Sequence, residues 1–206
     1  RIIILKLNVP EDLTHEIQAD GTTNNSIFKL NKVANANGYY VVLEKVNGST
    51  SVEICNSNSF EIQGDSIIFN LGNLTSLFDA AGQYVYKVYA TSSEANILNS
   101  EIASYTINKL CAPENIAIEY NQDSTMLRFT VADSNTRFKI SIDGSEFVEF
   151  TGNSYDISTL NAGSHEFKIY SVGNGNNVLD SNTTAQVERV LIRLSTPTNI
   201  NLAVNE

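Results

Sequence analysis

The only three prolines of this 206-residue chain, Pro10, Pro113 and Pro197, sit in three copies of one motif, K/R-L-x-x-P-x-D/N-I/L. The copies read Lys6-Leu7-Asn8-Val9-Pro10-Glu11-Asp12-Leu13, Lys109-Leu110-Cys111-Ala112-Pro113-Glu114-Asn115-Ile116 and Arg193-Leu194-Ser195-Thr196-Pro197-Thr198-Asn199-Ile200. They stand 103 and 84 residues apart, and self-similarity at the length of one small β-sandwich marks a tandem array. The spacing predicts residues 1–7 as the last strand of a preceding module or an N-terminal extension. Residues 8–110 then form one whole module, 111–194 a second, and 195–206 the start of a following one. Proline fixes its own φ and pushes the residue before it to extended backbone. Each module's last strand should therefore run almost directly into the next module's first, with Leu7, Pro10, Leu110, Pro113, Leu194 and Pro197 as the inter-domain hinges.

Between the motif copies the chain reads as strands. Ile, Val, Tyr and Phe are frequent, and turn clusters such as Asp20-Gly21, Asn47-Gly48 and Asp143-Gly144 recur between short apolar runs. Asn47-Gly48 is a type I′ hairpin signal. Leu74 to Gly82 is the one place for a helical turn. Gly82-Gln83-Tyr84-Val85-Tyr86-Lys87-Val88-Tyr89-Ala90 matches Gly163-Ser164-His165-Glu166-Phe167-Lys168-Ile169-Tyr170-Ser171 at a constant offset of 81. Period-2 alternation puts Tyr84, Tyr86 and Val88, like His165, Phe167 and Ile169, on one face. Phe28, Leu30, Tyr39 and Val41 complete the expected core of the first module, with Phe129, Phe138 and Ile140 in the second.

These features resemble the fibronectin type III-like modules of bacterial surface and secreted proteins. The resemblance runs over essentially the whole chain. It is carried by the L-x-x-P opening, by Ala36-Asn37-Gly38-Tyr39 before the third strand, and by Leu160-Asn161-Ala162-Gly163 leading into the aromatic strand. It implies an all-β fold of two tandem immunoglobulin-like, fibronectin type III-like β-sandwiches. The family's second-strand Trp is absent here, and Phe28 and Phe129 stand at the matching positions. The family's corner Tyr position holds Tyr84 in the first module and His165 in the second. The resemblance brings spacer and adhesive modules, an extracellular or cell-surface bacterial setting, and no catalytic residues or cofactors.

The net charge of −10, with 13 basic residues in no run, argues against nucleic acid, which needs clustered Lys and Arg. No apolar stretch reaches the roughly 18 residues of a membrane-crossing helix. His15 and His165 fall in different modules without a Cys or second His at ligand spacing, and no G-x-S-x-G elbow exists. Neither a transition-metal site nor a hydrolytic site is expected. Asn174 to Asp180 is rich in oxygen, but one carboxylate is too few for a dedicated calcium site, and the run reads as a turn. Cys55 and Cys111 make no disulfide framework. The sequons at Asn24, Asn47, Asn73 and Asn182 are as many as an Asn-, Ser- and Thr-rich chain holds by chance.

Exposed tyrosines can stack on sugars or anchor a protein. Tyr89 and Tyr170, at equivalent outward positions, together with Tyr155 and Tyr40, are the candidate ligand contacts. No Arg-Gly-Asp tripeptide is present. The leading expectation is a non-catalytic module that spaces or presents a functional domain, with glycan or protein binding as the alternative. Its partners are the neighbouring modules, and the apolar run Ile2 to Leu7 also predicts weak self-association by edge pairing.

Overall fold

Period-2 alternation becomes strand almost throughout the computed structural model, which describes residues 3–121 and 123–192. The first half holds β1 (Leu5–Lys6), β2 (Thr14–Asp20), β3 (Thr23–Asn31), β4 (Gly38–Asn47), β5 (Thr50–Ser57), β6 (Glu61–Gln63) and β7 (Ser66–Asn73). A single helical turn, α1 (Leu74–Leu77), follows, capped by the Asn73 side chain on the Thr75 and Ser76 amides. Then come β8 (Gly82–Thr91), β9 (Ile97–Leu98) and β10 (Ala103–Lys109). The second half holds β11 (Glu114–Tyr120), β12 (Thr125–Thr130), β13 (Arg137–Ile142), β14 (Val148–Thr151), β15 (Ser154–Asp156), β16 (Gly163–Ser171), β17 (Val178–Leu179) and β18 (Thr184–Val190). The third motif copy, with Leu194, Pro197 and the segment 195–206, lies outside the described residues, as do Arg1 and Ile2.

The strands form two sandwiches, so the chain is all-β, as expected. In the first, a sheet ordered β2-β3-β7-β6 faces one containing β10-β8-β4-β5. In the second, β11-β12-β15 faces β14-β13-β16-β18. The two share one plan, and the shorter second module lacks counterparts of β6 and α1. Two separate cores follow. Phe28, Leu30, Tyr39, Val41, Tyr84, Tyr86 and Val88 are buried in the first, and Phe129, Phe138, Ile140, Phe167 and Ile169 in the second. The aromatics at the expected Trp positions do core work in both: Phe28 stacks on Tyr86 at 4.4 Å, and Phe129 meets Phe138 edge-on at 4.8 Å.

The motif's last polar position has a backbone cause. Asp12 has φ 55° and Asn115 φ 52°, in the left-handed region that short polar side chains tolerate best after glycine. The turn there swings the chain from the proline into the first strand of each module. One hairpin differs from expectation. The loop after β4 is Gly48-Ser49, because Asn47 pairs with Thr50. Only Gly48 has positive φ, 62°, which is the pattern of a type II′ turn rather than I′. At Asp143-Gly144 both φ values are positive, 52° and 76°, and Ser145 N–H donates to Ile142 O at 3.0 Å. That turn is type I′.

Phe129→Ala removes a ring that also meets Phe150 edge-on at 6.0 Å. It should cost the second module about 3–5 kcal/mol, read as a shift in the urea midpoint of its unfolding.

Candidate functional site at the module junction

The five-stranded sheet of the first module contains one strand from the second. β17 adds to β10 in parallel, Asn108 beside Val178 and Lys109 beside Leu179. Asn108 N–H donates to Asn177 O at 2.8 Å and Leu110 N–H to Leu179 O at 3.1 Å. Thus the loop before the last strand of module two folds back and pairs with the last strand of module one. Gly173 makes the fold-back possible, since a Cβ there would sit 2.1 Å from the Val178 carbonyl oxygen. Leu179 is buried among the residues of the first module's core.

Polar groups close the joint around that side chain. Lys109, largely buried, donates from Nζ to the Phe78 carbonyl and to Asn182 Oδ1 at 2.7 Å. Burial lowers its pKa, while the Asp79 carboxylate works the other way and the Lys45 charge adds to the lowering. Asn182 Nδ2 donates in turn to the Asp79 carbonyl at 2.9 Å. His15, 1% exposed, lies over Tyr86 and edge-on to Phe78. Its Nδ1 is 3.2 Å from the Asn176 carbonyl of the second module, and its Nε2 is 3.0 Å from Ser26 Oγ. Ser26 Oγ is 2.7 Å from the Tyr86 hydroxyl. A carbonyl only accepts, so Nδ1 carries the proton, and one directed chain satisfies every group. Tyr86 donates to Ser26, Ser26 to Nε2, and Nδ1–H to Asn176 O.

Of the expected hinges, the one at Leu110 and Pro113 is therefore stitched down. Leu7 and Pro10 are buried, as is Pro113, and Leu110 is half-buried. On the far side, Cys111 N–H donates to Asp133 Oδ2 at 2.6 Å and Cys111 O accepts from Ser171 Oγ at 2.7 Å. Pro113 O accepts from Thr184 Oγ1 at 2.6 Å. Cys55 and Cys111 are free thiols, and burial raises both pKa values, with the nearby Asp133 carboxylate adding to it at Cys111.

The candidate tyrosines do not gather into one surface. Tyr40 and Tyr89 stack nearly parallel, 5.4 Å apart at 8°, on the outer face of module one. Tyr170 is on the outer face of module two against Phe147. Tyr155, grouped with the outward tyrosines from sequence, instead packs inward against Phe150 and the second core. Side-chain oxygens of the 174–180 run hold the loop itself: Asn174 Oδ1 accepts from the Asn176 and Val178 amides, and Asp180 Oδ1 from Gly173 N–H. Among the described residues no group of three or more His, Cys, Asp or Glu could hold a metal ion, and no helix is long and apolar enough to cross a membrane.

His165 takes the corner position as expected. Tyr84 donates to Ala80 O at 2.8 Å, and His165 Nε2–H reaches Asn161 O, also four residues back, at 2.9 Å. Its Nδ1 meets Asp143 Oδ2 at 2.6 Å, so both ring nitrogens face acceptors. The Asp143 hydrogen bond, then the Asn161 carbonyl, raise its pKa.

Sequence reasoning missed His15, Lys109, Leu179 and Asn182, although a signal existed. The offset-81 match continues past the aromatic strand, aligning Asn96-Ile97-Leu98-Asn99-Ser100 with Asn177-Val178-Leu179-Asp180-Ser181.

The two histidines give opposite pH dependence. Burial lowers the His15 pKa, so the unfolded chain binds the proton more tightly. The associated stability is present above the unfolded value of about 6.5 and is lost as pH falls below it. His165 is raised, so its contribution is present below about 6.5 and is lost as pH rises through its folded value. Denaturant unfolding between about pH 7.5 and pH 5 should show His15→Gln flattening the acid-side loss of module one. His165→Asn should remove the acid-side gain of module two.

Two comparisons with known proteins return nothing: no protein-family profile matches the chain, and no curated protein matches it. Among solved structures the chain is similar to a two-domain fibronectin type III segment from chicken tenascin. The likeness is 18% in sequence identity over 88% of this chain and 99% of that one, with a TM-score of 0.37.

Proposed function

We propose that the chain is a pair of non-catalytic structural modules in a tandem array, spacing or presenting a functional domain of a larger extracellular or cell-surface protein. The observation that carries this reading is the shared sheet at the junction, where β17 joins β10 and Leu179 enters the other module's core. A spacer must hold an angle, and a bare three-residue link holds none. Here backbone pairing, a buried side chain and a buried ammonium set the angle together. The one hydroxyl beside an imidazole at this joint, Ser26 at His15, is buried with it and already bonded to Tyr86, and the other ring nitrogen is committed to a carbonyl.

Leu179→Ala should lower the stability of the junction by about 2 kcal/mol or more. Leu179→Asp should uncouple the modules. NMR relaxation of the parent chain is expected to give one correlation time for both modules, with the Asp variant giving two shorter ones. Independent tumbling of the unsubstituted modules would refute the spacer reading.

A second reading, recognition of a glycan or protein, is favoured by the Tyr40–Tyr89 stack, because Tyr40 stays exposed beside its partner. A glycan-array or pull-down signal lost in Tyr89→Ala would support it. The absence of any signal with the unsubstituted chain would favour the spacer.

A further inference from the structure

β1 pairs with β9 in parallel, Leu5 beside Ile97 and Lys6 beside Leu98. Its amide bonds, Leu5 N–H to Asn96 O at 2.9 Å and Leu7 N–H to Leu98 O at 3.0 Å, repeat those of the junction. Lys6 and Lys109 hold the same motif position, and Leu98 and Leu179 are related by the offset of 81. The supporting turn repeats as well. Ser100 N–H donates to Ala90 O at 3.0 Å, as Ser181 N–H does to Ser171 O at 3.0 Å. Ser100 Oγ accepts from Ala90 N–H at 2.9 Å, as Ser181 Oγ does from Ser171 N–H at 2.9 Å. Lys6 Nζ bonds Glu101 where Lys109 Nζ bonds Asn182. One joint is thus built twice.

What differs is what lies against it. Leu179 is 3% exposed and its counterpart Leu98 55%. Ile107 is fully buried in the first core, and Ile4, at the same place relative to the motif, is 65% exposed. Ile3 and Leu5 are exposed as well. We infer that β1 and β9, with Ile4, Leu98, Lys6 and Glu101, form the docking face for the lower end of a further β-sandwich of this same kind. Residues 3–6 continue its last strand. Ile4 belongs to its core, Leu98 plugs its end as Leu179 plugs module one, and Lys6 reaches a backbone carbonyl at the place of Phe78 O. The contact is heterologous, joining the top of one module to the bottom of the next, and repeats without closing. The inference rests on the reading of the 108–110 joint given above.

The test extends the chain by one module, placing a copy of residues 1–107 directly before Leu5 so that the copy's own Ile107 takes the place of Ile4. Leu98→Cys is introduced in the original module only, and alkylation of each cysteine is followed by mass spectrometry. In the chain as it stands the new thiol should react as an exposed one. In the extended chain it should react at least about tenfold more slowly, because a buried thiol is reached only through local opening. Equal rates overturn the inference, as does an added module that stays unfolded by circular dichroism. Protection that appears in the unextended chain only at high concentration also overturns it, and assigns the face to a second copy. Leu179→Cys in the unextended chain separates the two readings. A fast-reacting thiol there defeats the joint itself, whereas a protected one beside an unprotected Leu98→Cys thiol in the extended chain defeats the docking face alone.

Discussion

The parallel pairing of β17 with β10 is the contact on which the arrangement of the two modules depends. A last strand leaves unpaired amide and carbonyl groups at its exposed edge, and β10 would offer such an edge at Asn108 to Leu110. The second module satisfies it with its own loop. The contact is small, yet a small contact suffices here. Two separate proteins would lose roughly 4–15 kcal/mol of translational and rotational freedom on docking. Modules tied by a few residues give up far less, since loop-closure entropy grows only slowly with length. One buried Leu, worth about 1.5–3 kcal/mol, and a handful of hydrogen bonds at about 1 kcal/mol each then outweigh the residual freedom of the link.

The polar part of the joint adds orientation to that affinity. A buried ammonium is costly unless its donors find partners, and Lys109 finds a carbonyl on its own module and an amide oxygen on the other. The bond within the module aims the ammonium, and the bond to Asn182 then holds in one relative placement of the modules. The chain Tyr86–Ser26–His15–Asn176 works in the same way and reaches from the first core to the second module. Burial keeps His15 neutral against the pull of the Asn176 carbonyl and the Glu16 charge, and the chain is complete with the neutral ring. At His165 the hydrogen bond to the Asp143 carboxylate outweighs burial, and the sign of the shift reverses.

Much of the fold was legible because burial alternates along β4, β8, β12 and β16 and each module buries one face of each sheet, although a bulge between Asn25 and Ile27 interrupts the alternation in β3. Every core aromatic named from sequence lies in a core. The expectations that differed rest on features alternation does not carry. Asn47-Gly48 matches a turn signal, but the pairing of Asn47 with Thr50 moves the turn by one residue. Tyr155 sits in a three-residue strand, too short for its facing to be read from neighbours. The candidate site was nearly invisible, because Leu179 lies in an Asn- and Gly-rich stretch whose composition reads as a plain turn. Only the internal repeat carries its meaning, and that repeat extends ten residues beyond the aromatic strand where the resemblance is plainest. The oxygen-rich side chains that suggested a cation serve to shape the loop that delivers Leu179.

The last strands of the two modules are not chemically alike where they face the turn glycine. Pairing sets Val190 opposite Gly163, as Lys109 is set opposite Gly82. By strand position Val190 therefore replaces the lysine, three residues earlier than the spacing to Pro197 implies. A valine offers no donor for a facing carbonyl or amide oxygen, so the position opposite this turn glycine carries a cation in one module and an aliphatic side chain in the other. Backbone pairing and a plugging Leu can be passed from module to module with little demand on sequence, because they need one apolar side chain and an extended strand. The buried lysine demands more, since its carbonyl and its amide oxygen must both be in place. The position facing the turn glycine that both modules share thus decides whether a last strand brings a buried donor or only an aliphatic side chain.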